Sequence, residues 1–201
     1  MDGLQWVIGI DSWIIQDGNY ADFATGDRVE FAVEFAPLSP AVRTDHSPVG
    51  AQRIEPNLYD LTAEVVAISE GVTVLDCGIL MYGPALSGPR RRSGDPRAPE
   101  QAVGDVVSLR AYVGIDPFKY FEDYAHRPGV PAMIYSWSVD EIRLDTTPWV
   151  RQGRASIRRD RSRPSSAVIE RTDALSDDDG RASYMLACTL SHDAPTHTRS
   201  H

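Results

Sequence analysis

The acidic and nucleophilic side chains come first, because their spacing decides whether a chain can do covalent chemistry. Asp11, Asp76 and Asp116 each sit in or beside an apolar run. Burial there would raise a carboxyl pKa toward the range a general acid needs. Nothing in the linear order brings two of them together, and the plainer account is structural. It makes Asp11 and Asp116 strand-end turn residues and Asp76 a hydrogen-bonded structural acid. Cys77 and Cys188 stand among leucines on alternating apolar faces and read as small core hydrophobes. There is no Gly-x-Ser-x-Gly elbow and no phosphate-binding glycine loop, and Lys119 is the only lysine. No catalytic residue and no cofactor is expected.

Metal ligation fares no better. His46, His126, His192, His197 and His201 are scattered without ligand spacing, and neither cysteine has a Cys-x-x-Cys partner. Asp177-Asp178-Asp179-Gly180 and Asp17-Gly18-Asn19 resemble fragments of calcium loops but lack the spaced ligands and closing glutamate. Asp-Gly turns that join strands account for both, and no metal site is expected.

Two clusters point to binding instead. Arg90, Arg91, Arg92 and Arg97 form one basic loop, and Arg151, Arg154, Arg158, Arg159, Arg161 and Arg163 form another. Flexible arginine loops grip phosphates, and strand aromatics stack bases, which makes a single-stranded nucleic-acid binder one reading. The formal net charge of -9 opposes it, as does the lack of aromatics interleaved with the arginines. The other cluster is aromatic: Trp13, Tyr20 and Phe23 near the N-terminus, and Phe118, Tyr120, Phe121 and Tyr124 in a later segment. Half-exposed aromatics anchor protein interfaces. The expected partner surface is Trp13, Tyr20, Phe23, Tyr120 and Tyr124, with Phe118 and Phe121 turned to the core.

Strand signals dominate the elements that must position these residues. Arg28 to Phe35 alternates, with Val29, Phe31, Val33 and Phe35 on one face. Trp6 to Ile15 is strand-like but apolar on both faces, so it is covered twice or changes sheet. Leu61 to Ile68 and Val72 to Tyr82 form a hairpin about Ser69-Glu70-Gly71, with a bulge or close approach at Gly78. Val106 to Val113 is a further strand, introduced by Gly104-Asp105 much as Gly26-Asp27 introduces the earlier one.

Asp116 caps a short helix with Pro117 at its first position, and Pro128-Gly129 stops it. Met133 to Leu144 is a strand whose apolar phase slips, predicting a bulge near Asp140-Glu141. Arg151 to Ser166 reads as an exposed excursion. Ala167 to Asp173 and Ala182 to Leu190 then read as a hairpin around SDDDG, which must dock on the main sheet because isolated hairpins are marginal.

The expected fold class is mainly β: an antiparallel barrel or sandwich of about eight strands with one short capping helix. One domain spans 1–191 and a disordered tail 192–201. A single helix among strands resembles small barrels of the oligonucleotide/oligosaccharide-binding (OB) type, in which a helix plugs the barrel end. The resemblance is architectural and confers no function.

At 201 residues and 42% hydrophobic the chain can bury a sizeable core. No secretory signal and no membrane-spanning run is visible, so a soluble cytoplasmic protein is expected. The leading reading is a binding or interaction module for a protein partner or for self-association. A single-stranded nucleic-acid binder and a small-molecule enzyme with a carboxylate at the barrel mouth are the alternatives.

Overall fold

The computed structural model describes residues 5–44, 48–86, 101–152, 156–191 and 194–199. Along the chain the strands are β1 (Gln5–Asp11), β2 (Arg28–Phe31), β3 (Val33–Pro37), β4 (Val42–Arg43), β5 (Gly50–Glu55), β6 (Leu58–Ser69) and β7 (Val72–Asp76). There follow β8 (Leu80–Pro84), β9 (Val106–Gly114), β10 (Tyr135–Asp145), β11 (Trp149–Gln152), β12 (Ser156–Arg159), β13 (Ser166–Ile169) and β14 (Ser183–Leu190). Helix α1 (Ser12–Gln16) follows β1, and α2 (Pro117–Glu122) follows β9. The chain is thus mainly β, with more and shorter strands than the eight expected.

Contacts divide it into two units, each assembled from segments far apart in sequence. One holds Met1–Val29 and Trp137–Leu190, the other Glu30–Ser136 and Ser191–His201.

The second unit contains a closed five-stranded barrel. Strand β6 pairs with β7, β7 with β8, β8 with β3, β3 with β9, and β9 returns to β6. Four of these pairings are antiparallel, but β3 and β8 run parallel, which corrects the all-antiparallel expectation. Residues opposed across the ladders share a face, so the interior can be read from the registers. Leu61 opposes Leu109, Ala63 opposes Val107, and Val65, Leu75, Met81 and Val33 follow one another across four strands. All are essentially inaccessible to solvent, so these side chains pack the interior along the rows they form.

The parallel seam depends on Gly83. A Cβ there would stand 2.6 Å from both the ring Cζ and the backbone carbonyl oxygen of Phe35. Any side chain would push β8 off β3.

Two sequence expectations change in this unit. Val72 to Tyr82 is not one arm: it breaks at Cys77-Gly78-Ile79 into the hairpin of β7 and β8, and Gly78 takes φ 102° in the turn. Helix α2 does not plug the barrel end. It lies against the outer wall, where Val72, Val74 and Tyr82 form one cluster with Tyr120, Tyr124, Val130, Met133 and Ile134. That outer face explains why β7 and β8 are apolar on both sides.

The expected cap is present, since the Asp116 carboxylate accepts from the backbone N–H groups of Phe118 and Lys119 at 3.1 and 3.3 Å, with Pro117 behind it. Near the C-terminal end of the described residues, Thr196 bridges Ile134 through two backbone hydrogen bonds.

In the first unit the sheet order is β13-β10-β14-β1, antiparallel throughout. Trp6, Cys188 and Val139 share one row, and Ile8, Leu186 and Ile142 the next, all buried. The register of β10 against β14 shifts between Val139 and Glu141, as the slipped phase required. The extra residue, Asp140, accepts from the Thr189 hydroxyl at 2.7 Å.

The SDDDG arms do not form a hairpin. Strand β10 lies between β13 and β14, although the second arm buries Tyr184, Leu186 and Cys188 as its alternation demanded. Trp6 to Ile15 is also not one strand: it turns helical at Ser12, which lets Ile14 and Ile15 be buried as well as Ile8 and Ile10. Finally, the arginine excursion is a hairpin of β11 and β12.

Gly26-Asp27 and Gly104-Asp105 turn out to be the same turn built twice. The glycines have φ 92° and 91°, and each aspartate accepts the N–H three residues back, from Ala24 at 2.7 Å and from Ala102 at 2.9 Å.

Candidate functional site

Each sequence-selected acid is tied to its own neighbourhood. Asp11 accepts from the Ser183 hydroxyl at 2.6 Å, Asp76 accepts from the Gly78 N–H at 2.9 Å, and Asp116 caps α2. These are the structural roles of the plainer account.

Both thiols are buried, and burial pushes Cys77 up to about 12 and Cys188 higher still, which holds them protonated and unreactive. Among the described residues no group of three or more His, Cys, Asp or Glu side chains is placed to hold a metal. The acidic Asp177–Asp179 turn illustrates why. Asp177 accepts from the Tyr184 hydroxyl at 2.9 Å, and Asp178 accepts from the Trp149 indole and from Arg159.

The aromatic surface is largely a correction. Phe23 and Tyr120 are almost wholly buried and Tyr124 nearly so; only Trp13, 50% exposed, and the partly exposed Tyr20 reach solvent. Tyr20 lies over Phe23 at 5.6 Å between ring centres. The Asp116 cap sets the helical phase so that Pro117, Tyr120 and then Tyr124 face the barrel wall, leaving Phe118 and Phe121 half-buried. Tyr82 meets Tyr120 and Tyr124 at 5.4 and 5.5 Å and donates to the Asp116 carbonyl at 2.5 Å. Hydrophobicity ranks Phe above Tyr for the core; here the tyrosines win because their register fits.

The arginines divide. Arg90, Arg91 and Arg92 lie outside the described residues. Arg159 is withdrawn from solvent: it pairs with Asp178 at 2.6 Å, donates to the Thr147 carbonyl at 2.6 Å and covers the Trp149 ring at 4.3 Å. Arg158 and Arg161 are exposed.

Sequence reasoning missed two features of the barrel unit. On the outer wall, Lys119 of α2 reaches Glu34 of β3 at 2.9 Å and Asp116 at 3.5 Å. Burial raises the Glu34 pKa, and the Lys119 ammonium opposes that rise. Elsewhere on the wall, β3 and β4 pair with the same edge of β9, and the link between them stays hydrogen-bonded to that strand. The N–H groups of Leu38 and Ser39 both donate to the Arg110 carbonyl.

The result is an open groove of about 720 Å³ lined by Ser39, Pro40, Val42, Asp60 to Thr62 and Ser108 to Arg110. Asp60 and Arg110 oppose each other across β6 and β9 and form a two-bond fork at 2.7 and 2.8 Å. The guanidinium holds the Asp60 carboxyl below its usual range. Val42, 63% exposed, and the exposed Pro40 stand at the rim. Outward phase on alternating strands was visible for Asp60 and Arg110; their meeting was not, because it needs the register.

Comparison with family models, curated proteins and solved structures returns no match to this chain.

Proposed function

We propose that this protein is a non-catalytic binding module that recognises a protein partner, or a second copy of itself, through the β4/β6/β9 groove. One observation carries the reading. Asp11, Asp76 and Asp116 are tied to structural partners and both cysteines are buried, while the outer wall of the barrel offers an open groove. Its character suits an extended polypeptide segment. The rim is apolar at Pro40 and Val42, and the floor offers a carboxylate–guanidinium fork to a peptide's polar groups.

The ring connectivity also bears on the alternatives. Numbered from β6, it is that of an OB barrel whose last strand has been moved to the front of the chain. Barrels of that type take oligonucleotides on the face of their second and third strands. The corresponding pair here is β7 and β8, whose outer face lies under α2, Tyr120 and Tyr124. A single strand bound on the barrel therefore loses its platform. The buried apolar side chains of the interior rows likewise count against an enzyme with its carboxylate at a barrel mouth.

Light scattering coupled to size exclusion, with a pull-down from the native host, tests the proposal. Val42→Asp and Pro40→Asp should abolish partner retention or dimer formation while leaving thermal unfolding unchanged. A monomer that retains the same partners after both substitutions would remove the groove from the argument.

A further inference from the structure

We infer that the β11–β12 hairpin is a second binding element, an arm that enters a groove of a duplex nucleic acid with Arg151, Arg158 and Arg161 on its phosphates. It lies in the other unit from the peptide groove and goes beyond that reading.

The charge is concentrated. Residues 151–163 hold six arginines and one acid, Asp160, in a chain whose net charge is -9. Intramolecular pairs account for two of the six: Arg159 with Asp178, and Arg163 with Asp160 at 2.9 Å. Arg151, Arg158 and Arg161 are exposed, and no described carboxylate pairs with them. An acidic protein has negative charge to neutralise such a cluster, and here three cations are left outward.

Geometry chooses the partner. In the hairpin register Arg151 opposes Ile157 while Val150 opposes Arg158, and adjacent pairs point to opposite faces. Cations therefore flank the ribbon on both sides. Docking on a flat acidic protein surface would use one face; a groove walled by phosphates on two sides uses both. B-DNA's major groove admits a two-stranded ribbon and is about 8.5 Å deep. The three pairs beyond Trp149–Arg159 extend roughly 10 Å at about 3.3 Å per residue.

The base of the arm is fixed. Arg159 and the Trp149 indole N–H both bond Asp178, and the Asp160 N–H bonds the Pro148 carbonyl at 2.8 Å. Asp178 and Asp179 adopt φ 51° and 55°, a backbone that few residues other than glycine take, and the turn presents Asp178 to this pair.

The same anchor argues against a single strand. Binding of single strands leans on aromatic faces that stack bases. Trp149 is the hairpin's aromatic, and Arg159 lies over its ring while Asp178 holds its N–H. At physiological salt the Debye length is about 8 Å, so the chain's overall negative charge is screened from a duplex held at the arm.

The test is fluorescence anisotropy of the full chain with four labelled probes: a 20-bp DNA duplex, a 20-bp RNA duplex, a 20-nucleotide single strand and polyglutamate. Wild type should bind a duplex most tightly, with log K falling against log salt at a slope of about −3 for three phosphates. The triple variant Arg151→Gln, Arg158→Gln, Arg161→Gln should bind at least ten-fold more weakly and flatten that slope. Triple replacement by lysine should keep most of the binding. All three sites are exposed, so circular dichroism and Tm should not change in either variant. Val42→Asp should leave duplex binding intact, which separates this inference from the groove. Equal binding by the glutamine variant, tighter binding of the single strand, preference for polyglutamate, or no binding at low salt would each overturn it.

Discussion

Substituting Gly83 by alanine should destabilise the barrel unit by about 3 kcal/mol, at the upper end of what overpacking costs. The new methyl would lie 2.6 Å from the Phe35 carbonyl oxygen and 2.6 and 2.7 Å from its ring atoms Cζ and Cε1. Ordinary carbon contacts stand at 3.5–4.0 Å, so about 1 Å must be found. Little gives way, because Phe35 is fully buried and its strand is paired to β9 on one edge and β8 on the other.

The clash has two parts that a mutant cycle separates. In a Phe35→Leu background the ring contacts vanish but the carbonyl contact remains. The alanine should then cost about 1–2 kcal/mol, giving a coupling of roughly 1 kcal/mol or more. Urea unfolding followed by near-ultraviolet dichroism measures all four corners. For a chain of this size each kcal/mol moves Tm by about 2–4 °C, so Gly83→Ala should lower it by about 6–12 °C. A Gly83→Ala protein within 0.5 kcal/mol of wild type would refute the close parallel seam.

Other consequences are equally direct. A chain ended after Val150 loses β13 and β14; because β14 stands between β10 and β1, the first unit should fail to fold, and amide exchange should show β1 unprotected. If β1 amides stay as protected as in the full chain, the sheet order is wrong. Burial raises both thiol pKa values, so protons are lost first from the unfolded chain: stability should fall as pH rises above about 9, and Cys77→Ala should lessen the slope. A slope unchanged by that substitution would contradict the burial.

Lys119→Met should cost stability at pH 7, where Glu34 is left charged and half-buried. The deficit should vanish below about pH 4.5 as the carboxyl protonates, since its folded pKa is already raised. A deficit independent of pH would show that Lys119 acts by packing alone.

How much of this was legible beforehand depends on the range of the interaction. The Asp116 cap, the two Gly-Asp turns and the Asp140 bulge were readable because each is written within a few residues. So was the burial of Phe31, Val33 and Phe35, or of Tyr184, Leu186 and Cys188, because a strand's period of two assigns faces without reference to any partner. The aromatic site failed for a related reason. Tyr120 and Tyr124 looked like surface residues by side-chain type, and only their packing against Tyr82 put them inside.

By itself, then, the sequence determined local period, turns, caps and a mainly β composition. Tertiary structure alone decided which edges meet. Every strand offers the same N–H and C=O groups along its edge, so alternation cannot say that β3 will lie parallel to β8 and close a barrel. Nor can it say that β10 will separate the arms around SDDDG. Register then brought together Asp60 with Arg110 and Trp149 with Arg159 and Asp178, pairs whose members are 19 to 50 positions apart or closed by a turn that no short-range rule connects. Those meetings made the groove and fixed the arm, and they came from the chain's long-range closure.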